Sequence, residues 1–299
     1  MLRIGKTVSL IAMLAATASL WAADRQYNET FKLNSGGALM MDIRSGDVKV
    51  QTWDRDEVVF EAEVRGSSKF VNDFSFDFNQ GSEKVEIIGD LPYRKWNWNF
   101  RSKVKVNLKI PQHCQVNIKT SGGNIAIQDV RGKSELKTSG GNLELINMDG
   151  DLVAKTSGGH IKARGISGQT YLSTSGGNIH LEDLTGDITA KTSGGDIDLN
   201  GVAGEIVAKT SGGNIEMRLA GPYQGVQAST SGGNIYCFVD GELNADLNAR
   251  TSGGRVSIDF PITITGKISQ SKVNGKVNGG GPPLELRSSG GNIKVLPAK

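Results

Sequence analysis

The sequence predicts an all-β fold, a parallel β-solenoid of about 18-residue coils with irregular β caps at both ends. Three observations predict it. Thr-Ser-Gly-Gly begins at Thr120, Thr138, Thr156, Thr174, Thr192 and Thr210 with a spacing of 18 residues, then at Thr230 and Thr251, and Ser-Ser-Gly-Gly begins at Ser288. A fixed period near 20 residues marks a stacked array. After each Gly-Gly, apolar and polar residues alternate, as in Ile125/Ile127, Leu143/Leu145, Ile179/Leu181 and Ile215/Met217. That is the two-residue period of a strand with one buried face. Finally, 40 glycines stand against only 7 prolines, and the glycines are periodic, which excludes a disordered linker.

Taken in order, residues 1–22 read as a signal peptide. Arg3 and Lys6 form a positive start, residues 8–14 a short apolar stretch, and cleavage is placed after Ala22. The apolar stretch is shorter than the ~20 residues of a membrane span. No other segment could cross a bilayer, so no transmembrane segment is expected in the mature chain. Residues 23–115 form the N-terminal β cap or irregular solenoid start, with longer alternating strands such as VKVQTW, EVVFEAEV and KVKVNLKIP, and degenerate corners at Asn34 and Arg44. Such a cap covers strand edges that would otherwise invite pairing. Residues 116–260 hold the regular repeat. Residues 261–299 hold irregular C-terminal coils and a cap, in which LELRSSGGNIKVL reads as one last coil, paired after an excursion.

Each regular coil reads as strand, glycine corner, strand, Thr-Ser-Gly-Gly corner. The first corner carries an apolar residue and a glycine, as in Val130/Gly132 and Leu184/Gly186. The Gly-Gly pair is expected to supply a positive φ at a sharp turn. The Thr shares inward parity with Leu152/Ala154 and Ile188/Ala190, so its hydroxyl is expected to bond to neighbouring backbone or to the next Thr. An Asn column follows Gly-Gly (Asn124, Asn142, Asn178, Asn214, Asn234, Asn292), with His160, Asp196 and Arg255 as replacements, and reads as a structural stack along the axis. Cys114 and Cys237 are inward and several coils apart, too far for a disulfide.

The charge balance of 34 basic to 31 acidic residues excludes a strong pull toward nucleic acid. A lysine column lies beside the Thr: Lys119, Lys137, Lys155, Lys191 and Lys209, continued by Arg250 and interrupted by Ser173 and Ser229. It could bind an anionic glycan, lipopolysaccharide or a membrane surface. From the sequence, solubility and edge protection under solvent screening is the favoured reading. Asp196, Asp198 and Glu216 have a spacing that a glycosidase could use, though nothing marks a cleft. His160 and His180 lack a third zinc ligand, and the Asp pattern of calcium-binding β-rolls is absent. No catalytic, metal or cofactor residues are assigned. Trp96 and Trp98 alternate with Asn97 and Asn99; they are either cap core or an aromatic surface for sugar rings.

The Ser-Gly-Gly-Asn-Ile corners, the leader KVNLKIP and the final SSGGNIKV resemble the bacterial "putative adhesin" domain family of unknown function, related to the head-GIN auto-transporter adhesins, over about residues 35–297. The resemblance implies an exported right-handed β-solenoid of the cell envelope and carries over no ligand residues. The expected protein is non-catalytic, periplasmic or on the cell surface, and adhesin-like, with an envelope protein or glycan as partner. The alternatives are a carbohydrate-active β-helix enzyme and a structural or envelope-stress accessory protein.

Overall fold

In the computed structural model, residues 23–90, 102–240, 242–259, 262–264 and 269–298 are described. The expected signal peptide, Trp96 and Trp98 lie outside them. The chain is all-β: its strands join one continuous sheet that winds around a single apolar core. The only helix among the described residues is Ser68–Asp73, capped by the Ser67 hydroxyl, which accepts from the Phe70 N–H.

Consecutive repeats lie in register. Ser134–Lys137 pairs in parallel with Gln115–Thr120 on one side and Leu152–Lys155 on the other. Ile125, Leu143, Ile161, Ile179 and Ile197 form one column of directly opposed residues. Every member is at most 1% exposed, so the inward parity read from the sequence is the observed one. Parallel strands separated by one coil stand about 4.8 Å apart.

The threonine hydroxyls work on backbone, not on each other. Thr174 Oγ1 donates to the Gly159 carbonyl of the previous coil at 2.8 Å and accepts the Gly177 N–H of its own corner at 3.3 Å. The same pair of bonds recurs at Thr138, Thr156, Thr192, Thr210 and Thr230. Ser288 makes it too, to Gly233 O and from Gly291 N. A side chain lacking the hydroxyl strands two buried backbone groups. Thr174→Val is therefore expected to cost about 2–4 kcal/mol, read as a lowered urea midpoint, while Thr174→Ser stays close to the parent. Equal midpoints for the two variants would show the hydroxyl to be dispensable.

The double glycine has a different cause from the expected one. Neither glycine of the regular Thr-Ser-Gly-Gly corners has positive φ; that conformation belongs to the opposite corner, at Gly132, Gly150, Gly168, Gly186 and Gly204. The second glycine is needed because coils approach closely there. A Cβ on Gly177 would sit 2.0 Å from the carbonyl oxygen of Gly159 one coil below.

The asparagine column is a ladder of side chain to backbone bonds. Asn124 Oδ1 accepts the Asn142 N–H at 2.8 Å, and Asn142 Oδ1 that of His160. His160 Nδ1 accepts that of Asn178, Asn178 Oδ1 that of Asp196, and Asp196 Oδ1 that of Asn214. The column needs an acceptor two bonds beyond Cβ or within a ring. Asn, Asp and neutral His all provide one, which explains the replacements.

Both chain ends are interleaved. At the N-terminal side, the strands Ala38–Ile43 and Asp47–Trp53 form a coil. It is sandwiched between Lys84–Asp90 with Lys103–Pro111 below and Gln115–Thr120 with Ile125–Gln128 above. The Arg44 corner does stack into the array: Asp47 Oδ1 starts the ladder by accepting the Asn124 N–H. Antiparallel strands Ser75–Gln80, Glu57–Gly66 and Ala23–Lys32 then cover this end. Beneath them Phe60, Phe74, Phe76 and Phe78 pack edge-to-face, with Phe76 and Phe78 stacked, arrangements that favour aromatic pairs.

At the other end, the final strands Pro283–Ser288 and Ile293–Pro297 are not the outermost coil. They insert between the coil of residues 226–239 and that of residues 245–258. Ile293 and Val295 are fully buried, whereas Val256 and Ile258 in the true end coil are half-buried. Arg255 closes the ladder: its N–H is accepted by Asn292 Oδ1. An acceptor side chain is unnecessary where no further coil follows.

Cys114 and Cys237 are free and buried, and burial pushes their thiols up to about 11 and about 12. Both remain protonated near neutral pH and act as small apolar fillers.

Candidate functional site

One sheet face is formed by the strands that lead into the Thr-Ser-Gly-Gly corners. Their parallel register places Lys119, Lys137, Lys155, Ser173, Lys191, Lys209 and Ser229 in one file, which Arg287 and then Arg250 extend. The chain order of the last two is reversed by the interleaved coil. Five lysines thus span about 24 Å along the axis. The interleaved N-terminal coil adds Asp42 opposite Lys119.

Among the described residues only Lys137 of the five lysines has a carboxylate partner, Glu135. That carboxyl is held below its ordinary range, chiefly by the hydrogen bond from Lys137 and further by the charges of Lys137, Lys119 and Lys155. It reports a positive local potential. At the Ser173 gap the flanking ammonium groups lean onto Tyr171, with Lys155 Nζ 5.1 Å and Lys191 Nζ 5.4 Å from the ring centroid. The ring partly offsets the repulsion of two like charges.

The file has two distinct borders. Two residues toward the corner stands an exposed serine file, Ser121, Ser139, Ser157, Ser175, Ser193 and Ser211. On the other side runs a mostly neutral column, Glu135, Val153, Tyr171, Thr189 and Val207. Beyond it, four residues before the file, lie exposed Lys133, Asp151, Gln169, Asp187 and Glu205, a column that is acidic on balance. Sequence reading found the lysines but missed this acidic column and Tyr171, although the fixed offset of four residues was available.

The second face carries mixed charge. His180 Nδ1 lies 2.9 Å from Asp198 Oδ2, Arg218 donates to Glu216 at 2.7 Å, and Arg164 stands 3.7 Å from Glu182. A shallow cavity of about 360 Å³ is lined by His180, Asp196, Asp198, Glu216 and Tyr236 among others. Each carboxylate there has a partner, Asp196 the Asn214 N–H, Asp198 Oδ2 the imidazole and Glu216 the guanidinium, while Asp198 Oδ1 is buried without one. Exposed pairs of this kind are worth little in stability. His160 serves the backbone ladder and lies apart from this pair's hydrogen bond. Among the described residues no group of three or more His, Cys, Asp or Glu side chains is arranged to hold a metal ion, and no helix is long and apolar enough to cross a membrane.

With the geometry in place, comparison with known proteins adds the following. The profile of the Toastrack DUF4097 family matches residues 38–296. No curated protein matches. A crystal structure of a "putative adhesin" from Parabacteroides merdae ATCC 43184 superposes with a TM-score of 0.52 at 15% identity, covering 91% of this chain and 96% of that one. A "putative adhesin" from Parabacteroides distasonis ATCC 8503 gives 0.49 at 12% identity, covering 91% and 97%. At these identities the likeness to the first is one of fold alone.

Proposed function

The chain belongs to the Toastrack DUF4097 family, and on that premise we propose that it is an exported, non-catalytic protein of the bacterial envelope that binds an anionic surface or polymer in an adhesin-like way. Residues 1–22 act as its export signal, residues 23–115 and 261–299 as its caps, and residues 116–260 as the presenting scaffold. A right-handed winding is part of the proposal, since parallel crossovers in twisted sheets favour that hand. The adhesin-like component draws weak support from the name given to the Parabacteroides merdae relative in fold.

The observation that carries the binding role is the lysine file. Stacked ammonium groups about 4.8 Å apart repel one another, and four of the five lack a carboxylate within ion-pair distance among the described residues. The sequence alone favoured solubility as their purpose because neighbouring columns mix signs. Those mixed columns lie on the other face, and here the file meets carboxylates only at Lys137 with Glu135 and where Asp42 stands opposite Lys119. An array held together by backbone ladders and a buried core does not need such a file, whereas an anionic ligand would relieve it.

The alternative, a carbohydrate-active enzyme, would use the cavity beside His180 and Asp198. The partners held by Asp196 and Glu216 favour binding over catalysis there.

The test is retention on anionic matrices. The triple variant Lys137→Glu, Lys155→Glu, Lys191→Glu is expected to lose at least tenfold in affinity for an anionic surface at physiological salt. Its melting temperature should stay within a few degrees, since all three side chains point outward. Binding unchanged by the triple charge reversal would remove the file from consideration.

A further inference from the structure

The shape of the basic surface specifies its ligand more narrowly. We propose that the lysine file is a track for a linear acidic polysaccharide lying parallel to the solenoid axis, with its anionic groups met by successive coils. This rests on the basic-face reading above and names the ligand class for it.

Dimensionality is the first reason. The run of positive charge is one residue wide and about 24 Å long, with Lys133 the one cation in the column four residues away. It is not a patch. An anionic membrane is a plane, and a plane laid on this face would also meet exposed Asp151, Asp187 and Glu205. These stand about 13 Å from the lysines across the strands, beyond the ~8 Å over which charges are felt at physiological salt. A chain one sugar wide seated on the lysines escapes the acidic column; a membrane does not.

The borders give the second reason. On the corner side the exposed serine file offers one hydroxyl per coil beside each cation. Hydroxyls in a row match the hydroxyls of a sugar chain, while an ammonium file alone would suit any polyanion. On the strand side, Val153, Tyr171 and Val207 form a half-buried, mostly apolar ledge against which the flat, C–H-rich face of a pyranose can rest.

The Ser173 position gives the third. Here the cation is missing, yet Lys155 and Lys191 both turn toward Tyr171, which their registers place between them. The two ammonium groups flank the short Ser173 side chain at this point of the file. A carboxylate or sulfate on the polymer can be shared by both lysines here, and a bulky headgroup is not required to fill the gap. A second gap in the file occurs at Ser229, between Lys209 and Arg287, without an aromatic ring, since Gln227 stands where Tyr171 does.

The experiment measures binding of the purified protein to oligogalacturonides of increasing length, to neutral dextran, and to vesicles of mixed phosphatidylglycerol and phosphatidylcholine. Affinity for oligogalacturonides is expected to rise with length and level off at roughly five to six sugars, when the chain spans the file. Dextran should not bind. Lys155→Glu with Lys191→Glu is expected to weaken oligogalacturonide binding at least tenfold, and the milder Lys155→Gln with Lys191→Gln severalfold. Replacing Asp151, Asp187 and Glu205 with Asn, Asn and Gln should change it less than about twofold, because those groups lie beyond the screening length. Lysine-dependent binding to vesicles, strengthened by the same three neutralisations and without oligogalacturonide binding, would overturn the polysaccharide track while leaving the basic-face reading intact. Failure to bind any of the acidic probes would overturn both.

Discussion

Gly177→Ala is expected to destabilise the protein by at least ~3 kcal/mol, whereas Gly176→Ala, one residue earlier in the same corner, is expected to leave stability within ~1 kcal/mol or raise it slightly. The contrast follows from where each Cβ would point. At Gly177 it would lie 2.0 Å from the Gly159 oxygen, 2.4 Å from the Gly159 carbonyl carbon and 2.8 Å from the His160 nitrogen. All three are backbone atoms, so no side chain can swing away. The coils would have to part, and parting them breaks the hydrogen bond from Thr174 Oγ1 to Gly159 O. At Gly176 the nearest atoms are 3.7 Å away, an ordinary contact, and φ is not positive. Thermal or urea unfolding of the two variants checks this. Were the two to unfold together, close coil approach would not be what demands the second glycine.

This corner also shows how much of the fold was legible. The period, the strand alternation and the inward Thr could be read because they are local and repeat in every coil. The double glycine was noticed but explained by the wrong physics. Its cause is a contact with the residue 18 positions earlier, which no local rule about turns contains. The interleaved ends were harder still. Alternation tells which face of Ile293 is buried but not which coil buries it. One signal did exist: Arg255 replaces the acceptor that every internal coil carries, while Asn292 keeps it, so residue 255 belongs to an end and residue 292 does not.

The candidate site divides in the same way. The lysine file was legible because every member sits just before its Thr or Ser. Its significance was not, because that depends on which columns flank it and on whether carboxylates reach it. Tyr171 gains meaning only once Lys155 and Lys191 are seen to close on it from the neighbouring coils. Trp96 and Trp98, the other binding candidates, lie outside the described residues.

Deletion of residues 282–299 is expected to have the second large effect, and to act on the interior of the array. In an ordinary linear repeat protein, removing the last unit leaves a shorter array whose remaining units keep their neighbours. Here the removed strands lie between two others. Leu284 and Leu286 stand between Val226/Ala228 and Leu247/Ala249, and Ile293 and Val295 between Ile235/Cys237 and Val256/Ile258. All four deleted side chains are fully buried. Their loss forfeits roughly 6–12 kcal/mol of apolar burial by side-chain values, similar to the whole stability of a typical domain. It also opens parallel strand edges on both sides of the gap at once. The coil of residues 245–258 would be left holding its antiparallel partner Lys272–Val277 and the bonds of the Thr251 and Val256 N–H groups to the Ser271 and Gln270 carbonyls. Amide hydrogen exchange is expected to show protection lost across residues 245–258 and weakened at residues 226–239, with residues 134–199 unaffected. Deleting residues 298–299 alone should have a small effect, the loss of the bond from the Ala298 N–H to the Val239 carbonyl. If the truncated chain instead kept full protection at residues 245–258, that coil would have stepped down about 4.8 Å onto its new neighbour. The chain's last segment would then be an insert the array can do without, and not the wedge that locks its end.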